Sequence, residues 1–406
     1  MNRIQNKLFW AFFISIFLPT AVGINIGSLR LTLYRVILLA MFVSMFSLLS
    51  KLLSSGRFFP ATLFVWFSLW AYLSIIVNHG VSFSIEPGGV LFIEVVGPVV
   101  FTCLFCNTPQ KALKIVTALV SIIALTLLVV IPESLTSINW FLEIIGKVFG
   151  GSYHHVDQRM GLYRALGTFD HAILFGVVSS SAIGFAFFSQ GLFKTFLVTL
   201  SSLTSLSSGT IASISTQYLF LVWNKMFAKN PNKWKILLTL FILFIFAIEL
   251  ISNRSAIKVL LHYLTFSAHT AYWRILIFQY GMDNVFQNPI FGIGFYDWIR
   301  PAWMHGSSMD NYWLVFAVRY GIPGFLLYAS ACIMTALRVY RNKSPDQLMF
   351  QLRRGWLVGF AGLVISGCTV HFWNNAFIYF NFYIGFGLAI SNISSNQIHH
   401  LRSKNI

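Results

Sequence analysis

Long apolar stretches separated by short polar connections run through nearly the whole chain. Water is absent from the hydrocarbon of a bilayer, so a crossing segment satisfies its own backbone, and a helix needs about 20 mostly apolar residues to do so. On that measure the pattern predicts about twelve spans, at roughly 7–24, 32–50, 60–78, 89–106, 112–131, 171–189, 191–206, 209–225, 235–252, 312–337, 356–372 and 374–391. The pair at 191–225 carries Ser201, Ser202, Ser205, Ser207, Ser208, Gly209 and Ser213 at its centre, which predicts either two short helices or one broken one. Gly321-Ile322-Pro323-Gly324 interrupts the 312–337 run and predicts a kink or a re-entrant turn. The expected fold class is an all-α polytopic membrane protein forming one integral membrane domain over residues 1–406. Most connections are short, but two long ones, 132–170 and 252–311, stand out.

Composition excludes the alternative of two or three soluble domains. Apolar types make up 57% of the 406 residues and charged types only 10%, with a mean hydropathy of +0.74. The formal net charge of +17 would point to nucleic acid in a soluble protein. Its distribution points elsewhere. With the N-terminus inside, 18 of the 28 Lys and Arg fall in cytoplasmic segments between Arg3 and Lys404, with Asp346 the one acid among them. The opposite face and outer membrane half carry ten of each sign. This positive-inside bias places both termini in the cytoplasm and both long loops outside, and no nucleic-acid partner is expected. The first span reads as an uncleaved anchor, because no small-x-small cleavage site follows it. Cys103 and Cys106 form a lone Cys-x-x-Cys pair, read with Cys332 and Cys368 as packing residues. No internal repeat is visible, which argues against transporters built on inverted repeats.

The chemistry-bearing residues gather in the two loops. The first ends in Arg159-Met-Gly-Leu-Tyr-Arg164-Ala-Leu-Gly167-Thr-Phe-Asp170-His171, directly before a span. Charge at such a boundary is costly unless paired or solvated, so Arg159, Arg164, Asp170 and His171 are either site residues or interfacial anchors. The second loop holds Trp273-Arg274 on an amphipathic stretch, then Asn288-Pro289-Ile-Phe-Gly292-Ile-Gly294, then His305-Gly-Ser-Ser-Met-Asp310-Asn311-Tyr312. Gly292 and Gly294 make no dinucleotide fingerprint, since no strand-turn-helix unit surrounds them. Trp298, Trp303 and Tyr312 add aromatic surface for stacking on sugar or sitting in the interfacial belt. Glu94 and Arg319 lie inside spans and Arg35 near a span end. They form either a structural ion pair or the lining of a polar path.

Three of these motifs, in this order, resemble the bacterial polysaccharide polymerase and O-antigen ligase superfamily, the Wzy- and WaaL-like membrane glycosyltransferases. Tyr163-Arg164-Ala-Leu-Gly167 looks like an Arg-x-x-Gly segment. Arg274 with Asn288-Pro289-x-x-Gly292-x-Gly294 looks like the Arg…Asn-Pro-x-x-Gly-x-Gly signature. Asp310-Asn311-Tyr-Trp-Leu…Gly321-Ile-Pro-Gly324 looks like His-Asn-x-Tyr-Leu…Gly-x-x-Gly, with Asp310 in the place of the histidine and His305 five residues earlier. The resemblance implies a GT-C-like fold in the bacterial inner membrane with its active site on the periplasmic side. It implies transfer of glycan from undecaprenyl diphosphate to an acceptor sugar hydroxyl. The polymerase reading adds a second lipid-linked repeat as acceptor. The ligase reading differs only in the acceptor, and a lipid-linked oligosaccharide flippase is the rival from another class. Arginines suit a diphosphate leaving group, since they hold it bidentately and permanently. Arg164 and Arg274 are the expected diphosphate ligands, with Arg159 and Arg319 in reserve. Asp310 or His305 is the expected base, and Asp170, His171, Trp273, Trp303, Asn311, Tyr312 and Glu94 the expected lining. No metal or other cofactor is expected. Expected partners are the undecaprenyl-diphosphate-linked oligosaccharide, membrane lipids, and a chain-length regulator and flippase of the same pathway.

Overall fold

The computed structural model describes residues 3–27, 29–54, 59–150, 158–253, 255–256, 259, 268–341, 344 and 346–404, the side chains at 26, 29, 46–54, 268 and 396–404 excepted. The described elements are α1 (Arg3–Ser15), β1 (Gly23–Ile26), β2 (Leu29–Thr32), α2 (Leu33–Ser54), α3 (Phe59–His79) and α4 (Val81–Phe105). Then follow α5 (Pro109–Thr136), α6 (Trp140–Phe149), β3 (Gln158–Arg159), β4 (Leu162–Tyr163), α7 (Ala172–Gln190), α8 (Leu192–Leu203) and α9 (Ser208–Met226). The chain closes with α10 (Lys233–Ile251), α11 (Ala268–Gln287), α12 (Tyr312–Arg341), α13 (Gln347–Gly367) and α14 (Asn374–Lys404).

Among the described residues, eight helices are long and apolar enough to cross a membrane: α3, α4, α5, α7, α10, α12, α13 and the Asn374–Ser395 part of α14. Helix α2 contributes a shorter apolar stretch, Leu33–Met45, and α8 another. The chain is an all-α protein of membrane-embedded character, in which the strands among the described residues form two small hairpins. Helix starts follow capping chemistry. Thr108 accepts from the Lys111 amide at 3.3 Å ahead of Pro109, and Asn139 accepts from Leu142 at 2.9 Å. Both satisfy amides that have no partner in the first turn.

One expectation needs correction and two are sharpened. The first span does not run to residue 24: α1 stops at Ser15, and a turn with Val22 donating to the Pro19 carbonyl feeds the β1–β2 hairpin. The polar stretch at 191–225 resolves as two helices, with Leu206 at φ 44° in the break. Ser208, Thr210, Ser213 and Gln217 of α9 are buried against protein. Gln217 Nε2 donates to the Ser180 carbonyl at 2.8 Å, and Ser180 Oγ to Ser213 Oγ at 3.0 Å. Neither long loop is structureless, since α5 continues to Thr136, α6 follows it, and α11 fills much of the second loop.

Helix α14 is the centre of the molecule, its Asn374–Ser395 part almost wholly buried and the helix packed most extensively on α4. Helix α12 packs on α3, and α13 on α9. The many phenylalanines fill this interior. Phe316 stacks on Tyr328 at 4.3 Å between ring centres and Tyr312 on Phe372 at 4.6 Å, within the distance range of favourable aromatic pairs. A buried polar chain threads the aromatics: Tyr312 Oη to Tyr328 Oη at 2.7 Å, Tyr328 Oη to Asn381 Oδ1 at 2.7 Å, and Asn381 Nδ2 to the Glu94 carbonyl at 3.1 Å. All four cysteines are free thiols, with Cys103, Cys106 and Cys332 buried.

Candidate functional site

Two of the sequence motifs turn out to be the two sides of one joint. Helix α12 kinks at Gly321, whose φ of 71° and ψ of 178° are non-helical. Pro323 has no N–H to offer Arg319, and the kink turns the Ile322 amide away from Val318. The turn after α11 supplies the missing donors. Ile293 N donates to the Val318 carbonyl and Gly294 N to the Arg319 carbonyl, both at 2.9 Å, while Ile322 N donates to Pro289 O at 2.8 Å. Glycine is required at the contact. A Cβ at Gly292 would lie 2.4 Å from the Val318 oxygen, and one at Gly321 would lie 2.0 Å from the Ile290 oxygen. The joint fixes the depth and direction of Arg319, which leaves the kinked helix beside it.

A second docking positions the first loop. Glu133, buried at the end of α5, accepts from the Leu166 amide at 2.9 Å and the Gly167 amide at 3.0 Å. The preceding residues seat on the open carbonyls that end α8. Ala165 N donates to Thr204 O at 2.9 Å, Arg164 Nε to Ser205 O at 3.3 Å, and Arg159 Nη1 to Leu206 O at 2.9 Å. Cations at a helix C-terminus are favoured by its unpaired carbonyls and dipole. Arg159 and Arg164 therefore have a structural task besides any contact with ligand.

Arg274 completes this cluster from the second loop. It is only 6% exposed, yet Nε and Nη1 have no hydrogen-bond partner. Burial pulls its guanidinium below its ordinary range, Asp310 opposes that, and Arg159 adds to it. The same burial pushes the Asp310 carboxyl up, while Arg274 holds it partly down. The two are near but not paired: among the described residues the ion pairs are Arg35–Glu94 and Arg300–Asp297, each at 2.7 Å. An arginine buried with open N–H groups is expensive. It is poised for an anion that brings its own charge.

A cavity of about 680 Å³ is lined by Tyr312, two residues after Asp310. It takes Arg35 and Glu94 from α2 and α4, Tyr312 and Arg319 from α12, and His371 and Trp373 from the turn between α13 and α14. All but Glu94 and Arg319 lie at or near the ends of their elements, and those ends are the ones the charge bias assigns to the outer face. Arg319 lies over the Phe295 ring at 5.1 Å and has no carboxylate within ion-pair distance among the described residues. His371 is pushed down to about 3 by burial and then by Arg319, and its Nδ1 is buried without a partner. His171 is likewise lowered, to about 4, by burial and then by Arg164. Trp373 stands between the two imidazoles, 5.7 Å from His171 and 6.0 Å from His371. A strip of cationic and aromatic groups thus runs from Arg164 to Arg319.

The remaining expected residues are placed as follows. Asp170 ties the chain together, accepting from Thr20 N at 3.2 Å, Thr20 Oγ1 at 2.7 Å and Asn374 Nδ2 at 3.1 Å. His171 Nδ1 caps α7 through the Ile173 amide at 3.1 Å, and Asn311 Oδ1 caps α12 through the Leu314 amide at 3.0 Å. Trp273 and Trp303 face each other at 6.0 Å, with Trp303 exposed, and Trp273 donates to His269 Nε2 at 2.9 Å. His305 is exposed on the same loop. The structure therefore brings Arg159, Arg164, Arg274 and Asp310 together, and Glu94, Arg319 and Tyr312 together. It adds His371, Trp373 and Glu133, none of which sits in a recognisable motif. Comparison with models of known protein families and with curated proteins finds no match.

Proposed function

We propose that the chain is a membrane glycosyltransferase, a polysaccharide polymerase of about twelve spans in a GT-C-like arrangement. In this reading it lies in the bacterial inner membrane with both termini in the cytoplasm. It joins lipid-diphosphate-linked oligosaccharides on the periplasmic side. The observation that carries the reading is Arg274, buried with Nε and Nη1 unpartnered and flanked by Asp310 and Arg159. In the reaction the acceptor hydroxyl oxygen attacks the anomeric carbon of the donor glycan. The bond from that carbon to the diphosphate oxygen breaks, and undecaprenyl diphosphate leaves with the bonding pair. Arg274 and Arg164 hold the leaving charge where it develops, a role whose loss costs about 10²–10³ in rate for one donor. Asp310, with its carboxyl raised by burial, takes the hydroxyl proton. A carboxylate shifted toward neutrality is a better base than an ordinary one. The Trp273–Trp303 pair, half-buried at Trp273 and exposed at Trp303, gives the sugars a stacking surface.

Arg319 and the cavity around it supply a second cationic station. Two stations suit a polymerase, whose donor and acceptor both bear a lipid diphosphate. A ligase of the O-antigen type would differ in acceptor alone. The test is polymer synthesis from purified undecaprenyl-diphosphate oligosaccharide by the reconstituted protein. Loss of polymer in Arg274→Ala and Asp310→Asn, with His305→Ala active, supports the assignment. Full-length polymer from Arg274→Ala removes it. Products that form only when a lipid A-core acceptor is added replace polymerase by ligase, and transport without new glycosidic bonds replaces both by a flippase.

A further inference from the structure

At the end of the bundle opposite the outer cavity lies another, of about 730 Å³. Phe188, Phe220, Trp234, Phe350 and Leu357 make its walls apolar, and Arg353 and Arg354 are its charged lining, with no carboxylate. Arg353 is committed to the fold, since its Nε and Nη2 each donate at 2.8 Å to the Val339 and Tyr340 carbonyls at the end of α12. Arg354 is different. Its guanidinium lies over Phe350 at 4.0 Å and near Phe188 at 5.9 Å, and it has no ion pair among the described residues. Lys233 reaches the same place, with Nζ 3.5 Å from the carbonyl of Asn224, a lining residue. Two cations supported by aromatic faces and carbonyls therefore border an apolar volume.

Helix α10 rises from this cavity. It has nineteen residues of membrane-crossing hydropathy, none of them buried. Its Phe241, Phe244 and Phe246 are exposed. An occupant of the cavity must suit cations at one end and an apolar helix along its length. A soluble phosphate satisfies the first condition alone, and a neutral lipid the second alone.

We infer that this cavity binds the phosphate of an anionic phospholipid, with Arg354 and Lys233 as its ligands and the acyl chains lying along α10. The experiment uses the full-length protein, purified in detergent and stripped of lipid, with native mass spectrometry after adding phosphatidylglycerol or phosphatidylcholine. Phosphatidylglycerol is expected to be retained in preference. Arg354→Gln and Lys233→Gln should each weaken its retention about fivefold, the effect of one basic residue at an anionic surface. Arg274→Gln, at the outer cluster, should leave retention unchanged. Equal retention of the two lipids overturns the inference, as does retention unaffected by both charge removals. Displacement of phosphatidylglycerol by inorganic phosphate at equal concentration overturns it in favour of a soluble anion. Should Arg354→Gln fail to fold, the lipid comparison on the unaltered protein and Lys233→Gln decide the matter.

Discussion

Arg274 sets activity against stability within one side chain. A buried guanidinium with open N–H groups destabilises the empty protein, so Arg274→Gln should leave the melting temperature unchanged or raised while polymer formation falls about 10²-fold or more. A melting temperature that drops with activity would show Arg274 to be a structural residue. The histidines make a separate prediction. His171 and His371 are held near 4 and 3 in the folded protein against an ordinary 6.5. The unfolded chain therefore takes up protons first as pH falls. Stability from these sites is complete above about 6.5 and is lost as pH falls through that value toward 4 and 3. His171→Asn and His371→Gln should each flatten that acid limb in thermal melts between pH 7 and pH 4. Arg274 is legible in the sequence because a cation inside an aromatic run is conspicuous. His371 is not, because Val-His-Phe-Trp in a turn between two spans has no spacing that distinguishes a cavity lining from an interfacial belt.

At the scale of elements, packing decides what the apolar pattern leaves open. The serine-rich α8–α9 region has too polar a centre to face lipid, and only its partners, Ser180 and Gly184 of α7, explain how it is satisfied. The Gly321 interruption is readable as a kink, but its partner is not, because the bonds from the turn after α11 run between backbones. The side chains that also meet the kink, Trp70 to Tyr320 O and Ser74 to Arg319 O, come from α3, far away in sequence. The joint predicts coupled substitutions. Gly292→Ala and Gly321→Ala should each destabilise by about 3 kcal/mol or more, from steric overlap and positive φ together. The double variant should cost clearly less than the sum, since either change alone already separates the turn from the helix. Strict additivity in thermal denaturation would mean that the two motifs are independent. Glu133 belongs to this scale too. Glu133→Gln weakens two charge-assisted bonds to the Leu166 and Gly167 amides and should cost about 1–3 kcal/mol. It should also speed proteolysis of the Arg159–Gly167 segment.

For the whole molecule, the charge distribution predicts sidedness. Ser307→Cys, on the exposed second loop, should react with a membrane-impermeant maleimide on intact spheroplasts. Asn232→Cys, before α10, should react only after permeabilisation. The buried native thiols Cys103, Cys106 and Cys332 should contribute little background. Reversed labelling would invert the orientation and place the Arg274 cluster inside the cell. The all-α, membrane-embedded character is readable from hydropathy alone. The role of α14 as the buried axis is not, because its membrane-length part is less apolar than α10, a helix with no buried residue, so apolar content does not rank burial.

The joint at Gly321 also bears on how such a chain can change over evolutionary time. The stretch from Phe295 to Asp310 is moored at both ends, by the Gly294–Arg319 bond and by the Asn311 cap. Those moorings lie on one helix, eight residues and so about 12 Å apart. Between them the strap is bonded within itself, Trp298 Nε1 to Ser307 O at 3.0 Å and Arg300 to Asp297 at 2.7 Å. It is also bonded to the helices beneath, Ile299 N to Asn284 Oδ1 of α11 at 2.9 Å and Phe295 N to His79 Nε2 of α3 at 2.8 Å. Doubling the length of such a loop costs only about 0.6 kcal/mol of closure entropy. The bundle can therefore keep its arginines and Asp310 in place while the exposed 305–308 tip of the strap changes in length or sequence, and on the proposed function that tip is where acceptor preference can vary.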